Sequence, residues 1–186
     1  MRRDPAYRPI TAAEFLEMDF GTDRKFELHD GVIYMMTGGT QAHSWVQGNI
    51  LAWLRTRLRG SGCRPYGSDM ALKIGDTDVR YPDIAIYCGE PSDPFTGEKA
   101  LADPTAIIEV LSPSTTTFDQ GGKLEEYRAI PSLRTIAFVD PMNGLCRTID
   151  RQSDGSWIDH LFSGTGGIPI PALELTIPHD EIFARD

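Results

Sequence analysis

Apolar residues recur at helical spacing across residues 40–59, and this pattern predicts the longest helix of the chain. The apolar positions are Val46, Ile50, Trp53, Leu54 and Leu58. Because successive residues of a helix are about 100° apart, His43 and Gln47 fall within the same arc, and Arg55 and Arg59 fall outside it. We therefore expect the histidine and the glutamine to face the protein core and the two arginines to face solvent.

Shorter apolar runs predict strands, and their order predicts how those strands pair. The runs cover residues 25–28, 32–36, 70–74, 79–87, 105–111 and 133–139. The first two flank His29-Asp30-Gly31, which is typical of an antiparallel hairpin. A helix predicted from about Asp119 to Ile130 lies between the last two runs, and the order strand, helix, strand favours a parallel pair. The pattern thus indicates an α/β or α+β fold with a mixed sheet.

Both ends of the chain carry further signals. Thr11 and Glu14 have the spacing of a capping box, which predicts a short helix to about Met18. From Leu145 onward, turn residues separate apolar runs in the manner of a hairpin followed by a short final helix. The 186 residues leave no room for two domains of about 150 residues each, so a single domain over residues 1–186 is predicted.

The composition is that of a globular protein in water. Hydrophobic residues make up 40% and charged residues 24% of the chain, and no stretch approaches the roughly 18 apolar residues that a membrane span needs. The segment Met1–Pro5 is not followed by the apolar run of a secretion signal. Cys63, Cys88 and Cys146 are odd in number and far apart, so we expect neither a disulfide framework nor a local zinc or redox site. A cytoplasmic protein without membrane association is the expectation.

The net charge of -9 at pH 7 repels polyanions at long range. Any phosphate chemistry must then be organised locally, by a bound cation, by arginines or by formation of a homodimer. A stripe of arginines is best explained as a solvated helix end that the helix dipole favours, with phosphate contact as the alternative. These arginines are Arg55, Arg57, Arg59 and Arg64.

Three acidic residues lie in apolar, strand-like runs. Glu109 stands within the run 105–111, Asp83 lies at the mouth of the apolar part of the run 79–87, and Glu27 lies in the first hairpin strand. An unpaired carboxylate in a buried strand costs several kcal/mol, and two on neighbouring strands repel each other unless a cation lies between them. Asp83 and Glu109 are therefore candidates for a cation site. For Glu27, an ordinary salt bridge or an edge position is the alternative.

A lysine on the predicted third helix can bring positive charge to these acids. Lys123 lies on the apolar side of that helix, so its stem should face the sheet. The residues predicted to be solvated on the opposite side are Glu125, Glu126 and Arg128. Taken singly, an inward lysine usually extends back to solvent, and an inward histidine is usually a satisfied core residue. The sequence separations of Asp83, Glu109 and Lys123 match a strand, a loop, a second strand and a helix, and this combination favours a common site.

These motifs resemble the Uma-two family of restriction endonucleases, a bacterial group within the PD-(D/E)XK nuclease superfamily. The residues that carry the resemblance, within about residues 10–140, are Phe26–Met36, His43, Tyr81–Ile86, Ile107–Thr115, Asp119, Lys123 and Tyr127. The resemblance implies a restriction-endonuclease-like core with a mixed β-sheet flanked by helices. Leu111 stands where the superfamily motif has a lysine. In the related family the lysine comes from the next helix, which here corresponds to Lys123.

The resemblance also implies a mechanism and a set of site residues. Asp83, Glu109 and the carbonyl of Val110 would hold a divalent metal, Mg2+ with Mn2+ as an alternative. Lys123 would orient the attacking water or neutralise charge that develops on the phosphate. Glu27 corresponds to an upstream acid that would complete the shell of a second metal or orient a water. The residues assigned to substrate binding are His43, Gln47 and Tyr127, with packing of the lysine as the alternative for His43 and Tyr127.

The expected activity is metal-dependent endonucleolytic hydrolysis of phosphodiester bonds, with DNA as the expected partner and RNA left open. A catalytically inactive nucleic-acid-binding or regulatory module of the same fold is the main alternative, and a solvent-facing Lys123 would favour it. A metal hydrolase of smaller phosphate esters would fit the acidic charge better, but it has no sequence feature of its own.

Overall fold

The computed structural model describes residues 8–89, 93–112, 122–163 and 166–185. The helices are α1 (Ala12–Leu16), α2 (Gln41–Arg57), α3 (Leu124–Arg128) and α4 (His179–Ile182). The strands are β1 (Phe26–His29), β2 (Val32–Met35), β3 (Cys63–Gly67), β4 (Ala71–Ile74), β5 (Asp78–Arg80), β6 (Ile84–Cys88), β7 (Ala100–Leu101), β8 (Ala106–Val110), β9 (Thr135–Asp140), β10 (Leu145–Arg151), β11 (Trp157–Ser163), β12 (Ile168–Ile170) and β13 (Leu175–Ile177).

The strands form two larger sheets and a small one. The first sheet has the order β2-β1-β5-β4-β7, the second has the order β11-β10-β9-β8-β6-β3, and β12 pairs with β13. The pairs β4/β7 and β8/β9 are parallel, and the other pairs are antiparallel. The predicted mixed α/β class is confirmed, but the early hairpin β1/β2 belongs to a different sheet from the predicted parallel pair, β8/β9.

The run 79–87, predicted as one strand, is two strands in different sheets. β5 ends at Arg80 in the first sheet, and β6 begins at Ile84 in the second. Pro82 lies between them, and proline cannot donate a hydrogen bond to a strand ladder. The chain therefore crosses from one sheet to the other at this point, and Asp83 follows the crossing directly.

The second sheet carries a helix on each face. On one face α2 packs through Val46, Ile50 and Leu54 in a cluster that includes Ile108 and Val110 of β8. The opposite face belongs to the cluster that contains Leu124 and Tyr127 of α3 and Ile107 and Leu111 around β8. Side chains of a strand alternate between faces, so Glu109 of β8 shares the α3 face with its neighbours at 107 and 111. All five residues of β8 are buried.

Local signals explain where the helices and the first hairpin begin. Thr11 caps α1 with the complete capping box, and the Thr40 side chain accepts a hydrogen bond from the backbone N–H of His43 at the start of α2. In the hairpin turn, Asp30 and Gly31 have φ of 48° and 72°, as a type I′ turn requires. The predicted start of the third helix at Asp119 lies outside the described residues. Among the described residues, no helix has the length and apolar character needed to cross a membrane.

The expectation that no disulfide forms is wrong. Cys63 and Cys88 form a disulfide, although they are 25 residues apart along the chain. They are register partners in the antiparallel pair β3/β6, which brings their Cα atoms to 4.1 Å. The strand β3 was not predicted, so its pairing could not be foreseen. Cys146 is buried and is not part of a disulfide.

Candidate active site

Asp83 is held on three sides at the junction between the two sheets. Its Oδ2 accepts a hydrogen bond from the backbone N–H of Val110 at 2.8 Å, and its Oδ1 lies 3.0 Å from Nε2 of His43. The side-chain amide of Gln47 donates to the backbone carbonyl of Asp83 at 2.9 Å. His43 and Gln47 are one turn apart on α2, so the first part of this helix fixes both the backbone and the carboxylate of Asp83.

Glu109 is a buried carboxylate with three hydrogen-bonding or charged neighbours. Its Oε2 accepts a hydrogen bond from the backbone N–H of Asp83 at 3.2 Å. Its Oε1 accepts one from the hydroxyl of Tyr127 at 2.6 Å and lies 3.5 Å from Nζ of Lys123. Burial raises the pKa of Glu109 to about 7, and the charge of Asp83 adds to the rise, while Lys123 and Tyr127 oppose it.

The Lys123 ammonium lies between two carboxylates. Its Nζ is 3.5 Å from Oε1 of Glu109 and 3.8 Å from Oε1 of Glu27, and only 15% of its side chain is exposed. The prediction that the lysine stem faces the sheet is confirmed by this burial. Because α3 packs against the face of the sheet that carries Glu109, the ammonium points toward the acids rather than into solvent.

Glu27 is joined to the site through Arg80. Arg80 donates from Nη1 to Oε2 of Glu27 at 3.0 Å, and the backbone N–H of Tyr81 donates to Oε1 at 3.3 Å. The register that pairs Leu28 with Val79 also makes Glu27 and Arg80 neighbours across β1 and β5. Glu27 is thus a salt-bridge partner of Arg80, as the alternative explanation proposed, and it also lies within reach of the lysine.

The prediction that Glu126 is solvated is wrong, and Arg80 was not recognised as part of the site. Arg80 donates from Nε and Nη2 to the two carboxylate oxygens of Glu126 at 2.8 Å and 2.7 Å. Burial acts to lower the pKa of Arg80, but the hydrogen-bonded Glu126 and the charge of Glu27 outweigh it and raise that pKa. The available signal was Arg80 itself, a charged residue within the apolar run 79–87 and two positions before Pro82.

The pKa values of His43 and Tyr127 are also displaced. The hydrogen bond to Asp83 raises the pKa of His43 above its ordinary value, against the opposing effect of burial. Burial raises the pKa of Tyr127 well above its ordinary value, and the negative charge of Glu109 adds to this effect. The hydroxyl of Tyr127 therefore stays protonated at neutral pH and remains a donor to Glu109.

The residues assigned to the site from the sequence form one connected cluster. The members, each in contact with at least one other, are Glu27, His43, Gln47, Asp83, Glu109, Val110, Lys123 and Tyr127. They come from both larger sheets and from two helices. Their assigned roles in catalysis, metal binding and substrate binding remain predictions.

One protein family matches most of the length of this chain. The model of the Uma2 (Uma-two) family, described as "Putative restriction endonuclease", matches residues 12–178. The chain belongs to the Uma2 family.

Relatives of this Uma2 protein include two cyanobacterial chains and one solved structure. The "Uncharacterized protein slr1290" of Synechocystis sp. is 27% identical over 175 residues, which cover 94% of this chain and 91% of that protein. The "Uncharacterized protein sll1609" of the same organism is 28% identical over 150 residues, which cover 80% and 85%. A crystal structure described as a "putative nuclease" from Anabaena variabilis matches with a TM-score of 0.75 at 19% identity, covering 95% of this chain and 98% of that one. At this identity the last match shows a shared fold.

The donor set of the Uma2 protein suits a hard divalent cation. Asp83 and Glu109 offer carboxylate oxygens, which Mg2+ and Mn2+ prefer. The N–H of Val110 donates to Asp83, and the N–H and C=O of one strand residue point to the same side, so the Val110 carbonyl faces this group as well. Burial is the main cause of the raised pKa of Glu109, and a cation bound beside this carboxylate would favour its ionised form. The residues present therefore fit the metal that the sequence predicts.

A second group of potential ligands lies beside Arg80. Among the described residues, the ligand atoms of His29, Asp78 and Glu126 lie within 4.8 Å of one another. His29 Nδ1 is 3.1 Å from Oδ1 of Asp78 and 3.0 Å from Oε1 of Glu126. Hydrogen bonds and the charge of Arg80 account for this cluster without an ion. It borders the candidate active site through Glu126 but contains none of the predicted metal ligands.

The predicted arginine stripe is remote from the cluster along α2. Arg55 and Arg59 are exposed, as predicted, and Arg57 stacks over the ring of Trp53 at 5.4 Å. The twelve residues from His43 to Arg55 correspond to about 18 Å of helix. Any contact of Arg55, Arg57 or Arg59 with a nucleic acid would therefore lie away from the acidic cluster, whereas Arg64 lies on β3.

Proposed function

We propose that this protein is a Mg2+-dependent endonuclease that hydrolyses phosphodiester bonds of DNA. The observation that carries this proposal is the convergence of Asp83, Glu109 and Lys123, two acids and a cation from three separate elements, in one largely buried cluster. The membership in the Uma2 family and the nuclease fold support it. Mn2+ is expected to replace Mg2+, because both accept oxygen ligands.

Asp83, Glu109 and the Val110 carbonyl are the residues that would hold the metal. When bound, the cation supplies positive charge that polarises the scissile phosphate and makes a water molecule more acidic. The chain prepares this arrangement itself, because His43, Gln47 and the N–H of Val110 fix Asp83. The Tyr127 hydroxyl fixes Glu109 in the same way.

Lys123 is assigned the role of orienting the attacking water or of neutralising negative charge that develops on the phosphate. Its ammonium is close enough to Glu109 to act on the same reacting group. Removal of one comparable donor from other enzymes costs about 3–4 kcal/mol of transition-state stabilisation. Glu27, next to this lysine, is assigned to orienting a water or to a second metal. His43 and Gln47 are assigned to phosphate contact in addition to the bonds described above. Tyr127 is fully buried and is therefore assigned to packing the lysine and holding Glu109.

The acidic charge of the chain limits how DNA can approach. With a net charge of -9, binding depends on the cation, on local arginines or on a second copy of the chain. A homodimer would place two cleavage sites on one duplex and is proposed on this ground. A cytoplasmic location is proposed only together with the nuclease function, and the Cys63–Cys88 disulfide, a bond that is rare in reducing compartments, argues against it.

Incubation of the purified protein with supercoiled plasmid tests the function. Nicked and linear products should form with Mg2+ or Mn2+ and not with a chelator. Asp83→Asn and Glu109→Gln should abolish cleavage, and Glu125→Gln, on the exposed side of α3, is the matched control that should retain it. Cleavage that survives both active-site changes would refute the assignment.

A catalytically inactive module remains the second candidate, because Leu111 replaces the usual motif lysine. The position of Lys123 next to Glu109 argues for the enzyme, since a substitute ammonium lies within the site. Binding of plasmid DNA without cleavage under any divalent metal would support the module instead.

A further inference from the structure

We propose that Arg80 is a positioning residue that holds α3 through Glu126 and keeps the Lys123 ammonium beside Glu109 by neutralising Glu27. This inference rests on the proposed function, because it concerns how the same site is assembled. The contacts of Arg80 described above include none with Asp83, Glu109 or Val110, the residues that would hold the first metal. Its effect is exerted through Glu27 and Glu126, the two carboxylates that it bridges.

The helix that carries Lys123 cannot hold its own orientation. α3 has only five residues, and its N-cap, Lys123, makes no side-chain cap hydrogen bond. Helices of this length are not stable alone, so tertiary contacts decide how α3 lies. Leu124 and Tyr127 pack it against the sheet. Apolar packing is not directional, so polar contacts orient the helix. The Tyr127 hydroxyl donates to Glu109, and Arg151 donates to the carbonyls of Arg128 and Ile130 at the C-terminal end.

Arg80 adds a directional contact at Glu126, a side chain that His29 Nδ1 also approaches at 3.0 Å. The Nε and Nη2 atoms of Arg80 bind the two oxygens of Glu126 at 2.8 Å and 2.7 Å, and such a two-bond fork fixes geometry as well as distance. Glu126 lies between Lys123 and Tyr127 in the sequence. Anchoring Glu126 therefore fixes the direction of both side chains that reach Glu109.

The hydrogen bond from Nη1 of Arg80 to Glu27 decides which of the two acids attracts the lysine. Lys123 Nζ is 3.5 Å from Glu109 and 3.8 Å from Glu27, so the two carboxylates compete for it at nearly equal distance. Arg80 donates to Glu27 at 3.0 Å and thereby offsets its charge. Without Arg80, the full charge of Glu27 would act on Lys123, and the ammonium would move toward Glu27.

Plasmid cleavage by Arg80→Gln tests the effect on the reaction. We expect kcat to fall at least ten-fold, while the Mg2+ concentration for half-maximal activity changes less than two-fold, because Asp83, Glu109 and Val110 keep their contacts. Arg80→Lys should recover part of kcat, since it keeps the charge but loses the fork. Arg8→Gln is the matched control, because Arg8 forms an exposed two-bond pair with Glu14 of α1. It should leave kcat unchanged within two-fold.

Two measurements do not depend on activity. The amides of Ala129 and Ile130 donate the hydrogen bonds that close α3, and in Arg80→Gln they should exchange hydrogen at least ten-fold faster, with the amides of β8 unchanged. A crystal structure of Arg80→Gln should show Lys123 Nζ nearer to Glu27 than to Glu109. Adding Glu27→Gln to that variant should return the ammonium to Glu109.

The inference is overturned if α3 and Lys123 keep their wild-type positions and exchange rates in Arg80→Gln. It is also overturned if kcat and Mg2+ dependence deteriorate to the same extent, because that pattern indicates general damage to the site. If Arg80→Gln does not fold, Arg80→Lys and Glu126→Gln provide the same comparison. If the wild-type protein cleaves no nucleic acid, the proposed function fails, and the exchange and crystal measurements still decide the role of Arg80.

Discussion

The difference in free energy of unfolding between Glu109→Gln and wild type, both without metal, should shift in favour of the variant as the pH rises. Burial raises the pKa of Glu109 from 4.5 to about 7 in the folded protein. Below pH 4.5 the carboxyl is protonated in both the folded and the unfolded state, and above pH 7 it is ionised in both. Wild-type stability therefore falls as the pH rises through this window, and a glutamine does not titrate.

The size of the effect follows from the pKa difference. At pH 5.5 the folded protein holds the proton and the unfolded chain has released it, so the proton stabilises the fold by about 2 kcal/mol relative to the ionised form at pH 8.5. Substitution also disturbs the hydrogen bond from the Asp83 N–H, at a cost of about 1 kcal/mol that does not depend on pH. The advantage of Glu109→Gln over wild type should therefore grow by about 2 kcal/mol between pH 5.5 and pH 8.5.

Urea unfolding followed by circular dichroism, with a chelator present, measures this difference. Glu125→Gln is the matched control, because Glu125 is exposed and forms its ion pair among the described residues with Arg128 of the same helix. Its effect should stay within about 0.5 kcal/mol at each pH. A difference between Glu109→Gln and wild type that is constant from pH 5.5 to pH 8.5 would refute the reasoning. Such a result would mean that Lys123 and Tyr127 already compensate the buried charge.

Three further predictions concern catalysis, substrate approach and the disulfide. Lys123→Ala should lower kcat of plasmid cleavage roughly 100-fold or more while changing Mg2+ affinity little; equal losses in a titration of Mg2+ would indicate a structural lysine. Removal of Arg55 and Arg59 by glutamine should leave the salt dependence of DNA binding unchanged if the stripe does not touch phosphate, and a shallower slope in a binding titration would place it at the interface. Replacing Cys63 and Cys88 by serine should lower the free energy of unfolding by about 3 kcal/mol, since the disulfide closes a loop between residues 25 apart. A reductant should lower the Tm of the wild type but not of this variant. A wild-type Tm that the reductant leaves unchanged would contradict the disulfide.

The predictions that succeeded depend on contacts within a short stretch of chain. The capping box at Thr11, the Asp30-Gly31 turn and the apolar stripe of α2 are each contained in fewer than twenty residues, and all three are present. Charged residues in apolar runs also pointed to the cluster, because the cost of burying charge is a property of the residue and its immediate neighbours. The lysine and the acids could therefore be nominated before their spatial arrangement was known.

Contacts between distant segments needed the tertiary structure. The chain leaves the first sheet at Pro82 and enters the second, which a continuous apolar run concealed. The pairing of β3 with β6 brought Cys63 opposite Cys88, and the packing of α3 between two sheets brought Glu126 to Arg80. A helical wheel shows which side of a helix is apolar, but it does not show a polar partner that arrives from another sheet. The sequence determined which residues carry charge into the core, and the strand register and sheet packing decided which of those charges meet.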